Sequence, residues 1–305
     1  MEDLAIKVNC LSELKYIQLF PNWEYPKNLM TDAFSYQIQK TLQNLSTFSI
    51  NRIYFGSEFC ELIMPSDDDY FKAIEYCYEH GLRITLLLPP LSERMLHRID
   101  GILRIVQRAP ALVQCEVACN DIGVMHYIYS CDSSITLLRG RLFQKRLYDP
   151  RVDTPAFENK LTFEGKKVYH NSSISSYEKC ILKRMNIQRI EIDTYIDYLN
   201  TESISDFQHT CYLPFGFFTT GHMCMFQNYL VDSDEKFNMK KSSCTKQCVK
   251  YYHAMSKRIT EHESFITKNL MLFRSGNTVF YNNMIIGDEI LLSQYRIVLQ
   301  PFPMI

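Results

Sequence analysis

The feature that most constrains this chain is its alternation of short apolar segments with longer amphipathic ones. Leu4–Val8, Arg52–Phe55, Arg83–Leu88, Leu112–Ala118, Ile135–Leu138, Arg189–Ile192 and Thr210–Leu213 are brief and mostly apolar rather than alternating. A strand reads that way when both of its faces are covered. Between them lie segments with helical spacing: Leu29–Leu45, Asp68–His80 closed by Gly81, Ser92–Arg108, Asp121–Ser130, Ser176–Met185 and Ile196–Leu199. Repeated strand–helix units predict parallel strands joined by crossover helices, and about seven of them predict an α/β fold with a (β/α) TIM-barrel-like domain. In such a barrel the functional side chains follow the strand ends. Cys60, Asn120, Asp121, Arg139, Arg141 and Cys224 are placed on one face by that rule.

The barrel is expected over residues 1–223. Residues 224–305 read as a cysteine-bearing C-terminal extension packed on it. In that extension Asp232–Lys241 is charged and loop-like, and Lys246–His262 has helical spacing. Leu270–Tyr281 and Tyr295–Leu299 read as strands, with turns at Ser275-Gly276-Asn277 and Gly287-Asp288. There is no internal repeat.

Charge and hydropathy exclude several classes. The 33 basic residues balance 34 acidic ones, so nothing marks a general polyanion binder. The N-terminus is acidic where a signal peptide is basic. The apolar run Ile84–Leu91 is broken by Pro89 and Pro90, far short of the roughly 20 residues a membrane helix needs. A soluble, cytoplasmic protein with no membrane insertion is expected. Eleven cysteines are then an unusual feature, because thiols in a reducing compartment stay free, bind metal or do redox chemistry.

The sharpest local signal is Cys244-Thr-Lys-Gln-Cys248, with Cys224 upstream on a polar segment. Three thiols in such a setting are poor core material. Iron–sulfur clusters take four thiolates, and so does structural zinc; spacing leaves both open, and a fourth ligand must come from elsewhere. Cys77, Cys131, Cys180 and Cys211 lie in apolar contexts and read as core, as do Cys115 and Cys119. Cys10 is undecided.

Asn51-Arg-Ile-Tyr-Phe-Gly-Ser-Glu-Phe-Cys60, taken with Gly221-His-Met-Cys224 and Cys244-x-x-x-Cys248, resembles the collagenase-like peptidase family U-32. The likeness is nearest to its anaerobic ubiquinone-biosynthesis iron–sulfur branch. Asn120-Asp121-Ile122-Gly123 matches that family's turn after a barrel strand. The resemblance implies a four-iron four-sulfur (4Fe-4S) cluster on Cys60, Cys224, Cys244 and Cys248. It also implies a component of an oxygen-independent hydroxylation system with prephenate as oxygen donor, acting on a quinone precursor or on RNA, in some members as a heterodimer with a homologous subunit. Met223 stands where the family usually carries Arg, and the collagenase-type signature is missing, which argues against peptidase activity. A non-catalytic cluster-bearing subunit is one alternative, and a peptidase, as the family name suggests, is the other.

Arg139-Gly-Arg141, at the start of the densest basic stretch, is the candidate grip for a dicarboxylate donor. The same stretch is the one hint of RNA. Asp121 is a candidate acid or base, with helix capping as its bland role. His126 lies one turn into that helix, and His222 is a candidate donor to a cluster sulfur.

Overall fold

The structure is a computed structural model. It describes residues 3–23, 39, 42–144, 159–170, 174–193, 206–228, 232, 234, 244–255, 272–282 and 295–301. Most of 29–45, all of 196–199, the turn at 287–288 and nearly all of 232–241 lie outside them.

Eight parallel strands close a barrel: β1 (Leu4–Val8), β2 (Arg52–Gly56), β3 (Arg83–Leu88), β4 (Glu116–Cys119), β5 (Thr136–Arg139), β6 (Arg189–Asp193), β7 (Gln208–Leu213) and β12 (Arg296–Leu299). The α/β barrel expected from the sequence is present. The expected division at 223/224 does not separate it from the rest of the chain. β12 inserts between β1 and β7, pairing Leu4 with Ile297 and Leu299 with Leu213. Closure needs an eighth strand, and the C-terminal stretch supplies it.

Helices that lie wholly within the described residues include α1 (Lys15–Leu19), α2 (Asp67–Glu79), α3 (His97–Arg108), α4 (Ile122–Cys131), α5 (Phe163–His170) and α6 (Ser176–Arg184). Ser66 and Asp69 form a reciprocal cap at the start of α2. The expected strand from Leu112 begins only at Glu116, because Ala111–Val113 forms a 3₁₀ turn ending at Gln114 in the left-handed region. The helix expected over Lys246–His262 is not formed in its described part. Gln247–Val249 is a short 3₁₀ turn and His253–Met255 is strand β9. β9 joins β8 (Phe215–Thr220), β10 (Leu272–Ser275) and β11 (Thr278–Asn282) in an antiparallel sheet of order β8-β11-β10-β9. Cross-strand pairing of β9 with β10 wins over the local helical spacing.

Two apolar shells result. Ile6, Ile53, Phe55, Ile84, Leu86, Leu88, Val117 and Ile190 face outward into the layer under the helices. Ala5, Tyr54, Leu87, Ala118, Leu138, Tyr212 and Val298 form a separate cluster inside the barrel. This is the two-residue period of a strand applied around a closed sheet.

Above that apolar waist, at the C-terminal mouth, sits a buried ion-pair network. Arg141 is fully buried and grips Glu58 with two bonds, Nε to Oε1 at 2.8 Å and Nη2 to Oε2 at 2.9 Å. Its Nη1 reaches Asp193 Oδ1 at 2.9 Å, and Nη2 donates to Gln300 Oε1 at 3.1 Å. Lys7 Nζ pairs with Glu58 at 2.6 Å. The guanidinium lies 3.9 Å from the centre of the Tyr212 ring. Burial alone would raise the Glu58 carboxyl, but Arg141 and Lys7 hold it below its ordinary value. Burial lowers Lys7, with Glu58 opposing. Removing one member of such a set leaves buried charge uncompensated. Arg141→Leu is expected to cost about 3–5 kcal/mol in urea unfolding at neutral pH, with Arg141→Lys recovering part of it.

Glu191 lies inside the barrel, with Oε2 accepting from Tyr212 Oη at 3.0 Å and Oε1 unpartnered. Burial first, then the negative charge of Glu58, pushes its carboxyl up to about 8 from 4.5. Between those values the folded chain holds a proton that the unfolded chain has released. The stability tied to that proton is complete below the ordinary value and is lost as pH rises through the interval, at about 1.4 kcal/mol per unit. Urea midpoints of wild type and Glu191→Gln, measured from about pH 5 to about pH 8, should diverge, with only the wild type losing this contribution.

Candidate functional site

The chain leaves β2 at Gly56, whose φ of +130° and close approach to the Leu87 carbonyl leave no room for a Cβ. Ser57 then closes a tight turn, its hydroxyl donating to the Cys60 carbonyl at 2.8 Å and accepting from the Cys60 N–H at 3.3 Å. Phe59 packs against Phe217 and Phe280 of the antiparallel sheet, over the Lys7 and Arg141 charges. Cys60 follows, half-buried, at the start of the 3₁₀ turn Glu61–Ile63.

The turn joining β10 to β11 gathers the other cysteine loops around it. Gly276 adopts a positive φ of +56°, as a two-residue hairpin turn requires. Asn277 Nδ2 donates to the carbonyls of Phe59 at 2.8 Å and Gly221 at 2.7 Å. The Gly221 N–H donates to Asn277 O at 3.1 Å, and the Met225 N–H to Gly276 O at 3.0 Å. Ser275 Oγ donates to the Cys248 carbonyl at 3.2 Å. One hairpin therefore holds the Cys60, Cys224 and Cys248 segments together.

Cys60 lies within electrostatic reach of Cys224 and Cys244, and Cys248 within reach of all three. Cys224 is hydrogen-bonded to Cys248, which pulls the Cys224 thiol down to about 6; burial opposes, and the backbone N–H groups of Gln227 and Phe226 and the Arg274 charge assist. The same contact, with burial, pushes the Cys248 thiol up, and Cys60 and Cys244 add to this. Burial pushes the Cys60 thiol up to about 11, with Cys244 and Cys224 contributing, while the N–H groups of Leu62 and Ile63 oppose it. Cys60 and Cys224 thus each direct sulfur at two consecutive backbone N–H groups. Such a concavity favours an anion, and iron–sulfur sites use it. No three His, Cys, Asp or Glu side chains among the described residues are arranged to hold a metal ion. A single zinc would need its four sulfurs about 3.8 Å apart, from Zn–S bonds of about 2.3 Å in a tetrahedron.

The other candidates are engaged elsewhere. Asp121 Oδ1 accepts from the N–H groups of Gly123 at 2.7 Å and Val124 at 3.1 Å, so it caps α4. Arg139 points outward, bonded to Glu178 at 2.8 Å and to the Phe143 carbonyl at 2.8 Å. Arg141 is sealed in the network described above. Neither arginine presents a free fork to a dicarboxylate. Asn120 ties strand ends together, donating to Leu88 O at 3.2 Å and accepting from the Leu142 N–H at 3.1 Å. His126 and His222 are exposed. The basic stretch from 145 to 151 lies outside the described residues.

Cys77, Cys119 and Cys211 are core, whereas Cys131 and Cys180, expected in the core, are exposed. Cys115 is half-buried, and Cys10 contacts the Ser12 hydroxyl at 3.1 Å. The sequence reading missed Arg274, Ser275 and Asn277. A Ser-Gly-Asn turn between strands was visible, but nothing local showed that it would meet loops so distant in sequence.

No family model matches the chain, and no curated protein or solved structure compared with it matches. Among the described residues no helix is long and apolar enough to cross a membrane.

Asn277→Ala removes two anchoring bonds and should lower stability by about 1–3 kcal/mol. It should also speed alkylation of Cys60 and Cys224. An unchanged labelling rate would show that the hairpin does not hold these loops.

Proposed function

We propose that Cys60, Cys224, Cys244 and Cys248 hold a four-iron four-sulfur cluster, and that the chain acts as the cluster-bearing subunit of a redox system. The observation that carries this reading is the convergence of the Cys60, Cys224 and Cys248 loops on one hairpin, with Cys224 in contact with Cys248 and with Cys60 and Cys224 each beside paired backbone N–H groups. Bound thiolates and an anionic cluster need such donors, and they need nearby cations. Arg274 is the cation beside Cys224, with Nε buried and lacking a hydrogen-bond partner. The polypeptide would supply four sulfurs, directed N–H groups and a dry aromatic floor made by Phe59, Phe217 and Phe280. Zinc fits less well, since no group of three ligating side chains among the described residues is close enough to grip one ion. When bound, the cluster supplies one-electron chemistry or a structural cross-link.

The resemblance adds oxygen-independent hydroxylation with prephenate as donor. The engagement of Arg139 with Glu178 and of Arg141 with Glu58 and Asp193 favours the subunit reading over donor binding by those arginines. On this reading the donor and the reacting centre belong to a homologous partner subunit.

Anaerobic purification with iron and sulfide analysis and an absorption spectrum tests the assignment, on wild type and Cys244→Ala. The expected result is about four irons and four sulfides per chain with a broad visible band, lost in the variant. A colourless zinc protein would remove the redox reading. Absence of both metals after anaerobic reconstitution would overturn the four-cysteine assignment.

A further inference from the structure

Cys224 and Cys248 stand in direct contact, thiol to thiol, whereas Cys60 and Cys244 reach Cys248 through charge. Both backbones are anchored at that contact. The Met225 N–H donates to Gly276 O at 3.0 Å, and the Cys224 carbonyl accepts from the Asn228 N–H at 3.2 Å. The Cys248 carbonyl accepts from Ser275 Oγ at 3.2 Å, and its 3₁₀ turn is closed by the Val249 N–H on Lys246 O at 3.1 Å. Phe226 and Val249, close to the two cysteines in sequence, pack against the main core. A pair held in this way does not depend on a metal to bring its sulfurs together.

The two thiols differ in access. Cys224 is half-buried, while Cys248 is only 2% exposed. An accessible thiol with a sheltered one against it is the arrangement that reversible redox pairs use, the first meeting the oxidant and the second resolving the intermediate.

We propose that Cys224 and Cys248 form a reversible dithiol–disulfide pair, oxidised by a small-molecule disulfide that enters at Cys224. The Cys224 sulfur attacks one sulfur of the small disulfide. A mixed disulfide forms, the original S–S bond breaks, and one small thiol leaves with the proton. The Cys248 sulfur then attacks the Cys224 sulfur and the second small thiol leaves, taking the Cys248 proton. Two protein thiols are oxidised and one disulfide is reduced to two thiols. With the backbones anchored, side-chain rotation is left to close the sulfurs from hydrogen-bond contact to a covalent bond of about 2.05 Å. The pair stands whether or not these cysteines hold a cluster. On the cluster reading, the same oxidation removes two of the four thiolates that a cluster needs and so closes the site to iron.

The test is oxidised glutathione added anaerobically to the full chain, as wild type treated with a chelator and as Cys244→Ala, followed by alkylation and peptide mass mapping. Both should give one internal cross-link, Cys224 to Cys248, that dithiothreitol reverses. It should form at least about tenfold faster than in the urea-unfolded chain, because the contact supplies a high effective concentration. Cys248→Ala should instead retain glutathione on Cys224, the trapped intermediate. A cross-link from Cys248 to Cys60 or Cys244 in place of this one, no cross-link, or a rate no faster than in the unfolded chain would overturn the proposal. Iron analysis reads the cluster and this mapping reads the pair, so failure of either leaves the other standing.

Discussion

The buried guanidinium of Arg141 is the interaction on which the upper half of this molecule depends. It joins the exit of β2 through Glu58, the end of β6 through Asp193, the start of β8 through the Phe215 carbonyl and the residue after β12 through Gln300. Asp193 in turn accepts from the Phe217 N–H at 3.0 Å. The barrel and the antiparallel sheet are therefore joined by charge-assisted bonds between buried groups, where such bonds are strong and their loss is costly. Arg141 stabilises the assembly only as part of the whole set, because each partner would be a liability alone.

The geometry of the cysteines follows from that junction. Glu58 is two residues from Cys60, so fixing the carboxylate fixes the loop that carries the thiol. Phe59 between them seals the mouth against the sheet, and the same sheet carries the hairpin that holds Gly221, Met225 and Cys248. Three loops far apart in sequence thus meet at one turn. The C-terminal mouth, the usual place for barrel chemistry, is filled here by ion pairs and aromatic rings, and the thiols lie along its rim. The other mouth keeps a polar cavity lined by arginines, Asp3 and Glu116.

Parts of the fold were legible because they follow from local pattern. The buried strands read as apolar runs since each has an inner and an outer covered face, and the helices α2, α3, α4 and α6 show their apolar stripes or caps. Asp121 could be read as a cap from its place before Ile122–Cys131. The Ser275-Gly276-Asn277 turn was legible from composition. The helix expected from Lys246 was not formed because β9 found a partner in β10, and the exposed positions of Cys131 and Cys180 depend on which helix face meets the barrel. Arg139 and Arg141 looked alike in sequence, two residues apart after a strand. One points out to Glu178 and the other in to Glu58: a continuing strand would put both on one face, but β5 ends at Arg139 and the turn after Gly140 redirects Arg141 inward.

Sequence alone determined the repeating strand–helix architecture, the cap and turn chemistry and the concentration of cysteines, since each depends on residues near one another along the chain. Tertiary structure alone decided that the C-terminal strand closes the barrel, that Arg141 is an internal tie, and that one hairpin gathers the loops of Cys60, Cys224 and Cys248. Those depend on contacts between distant segments, and burial changes what a charge or a thiol does once water is removed.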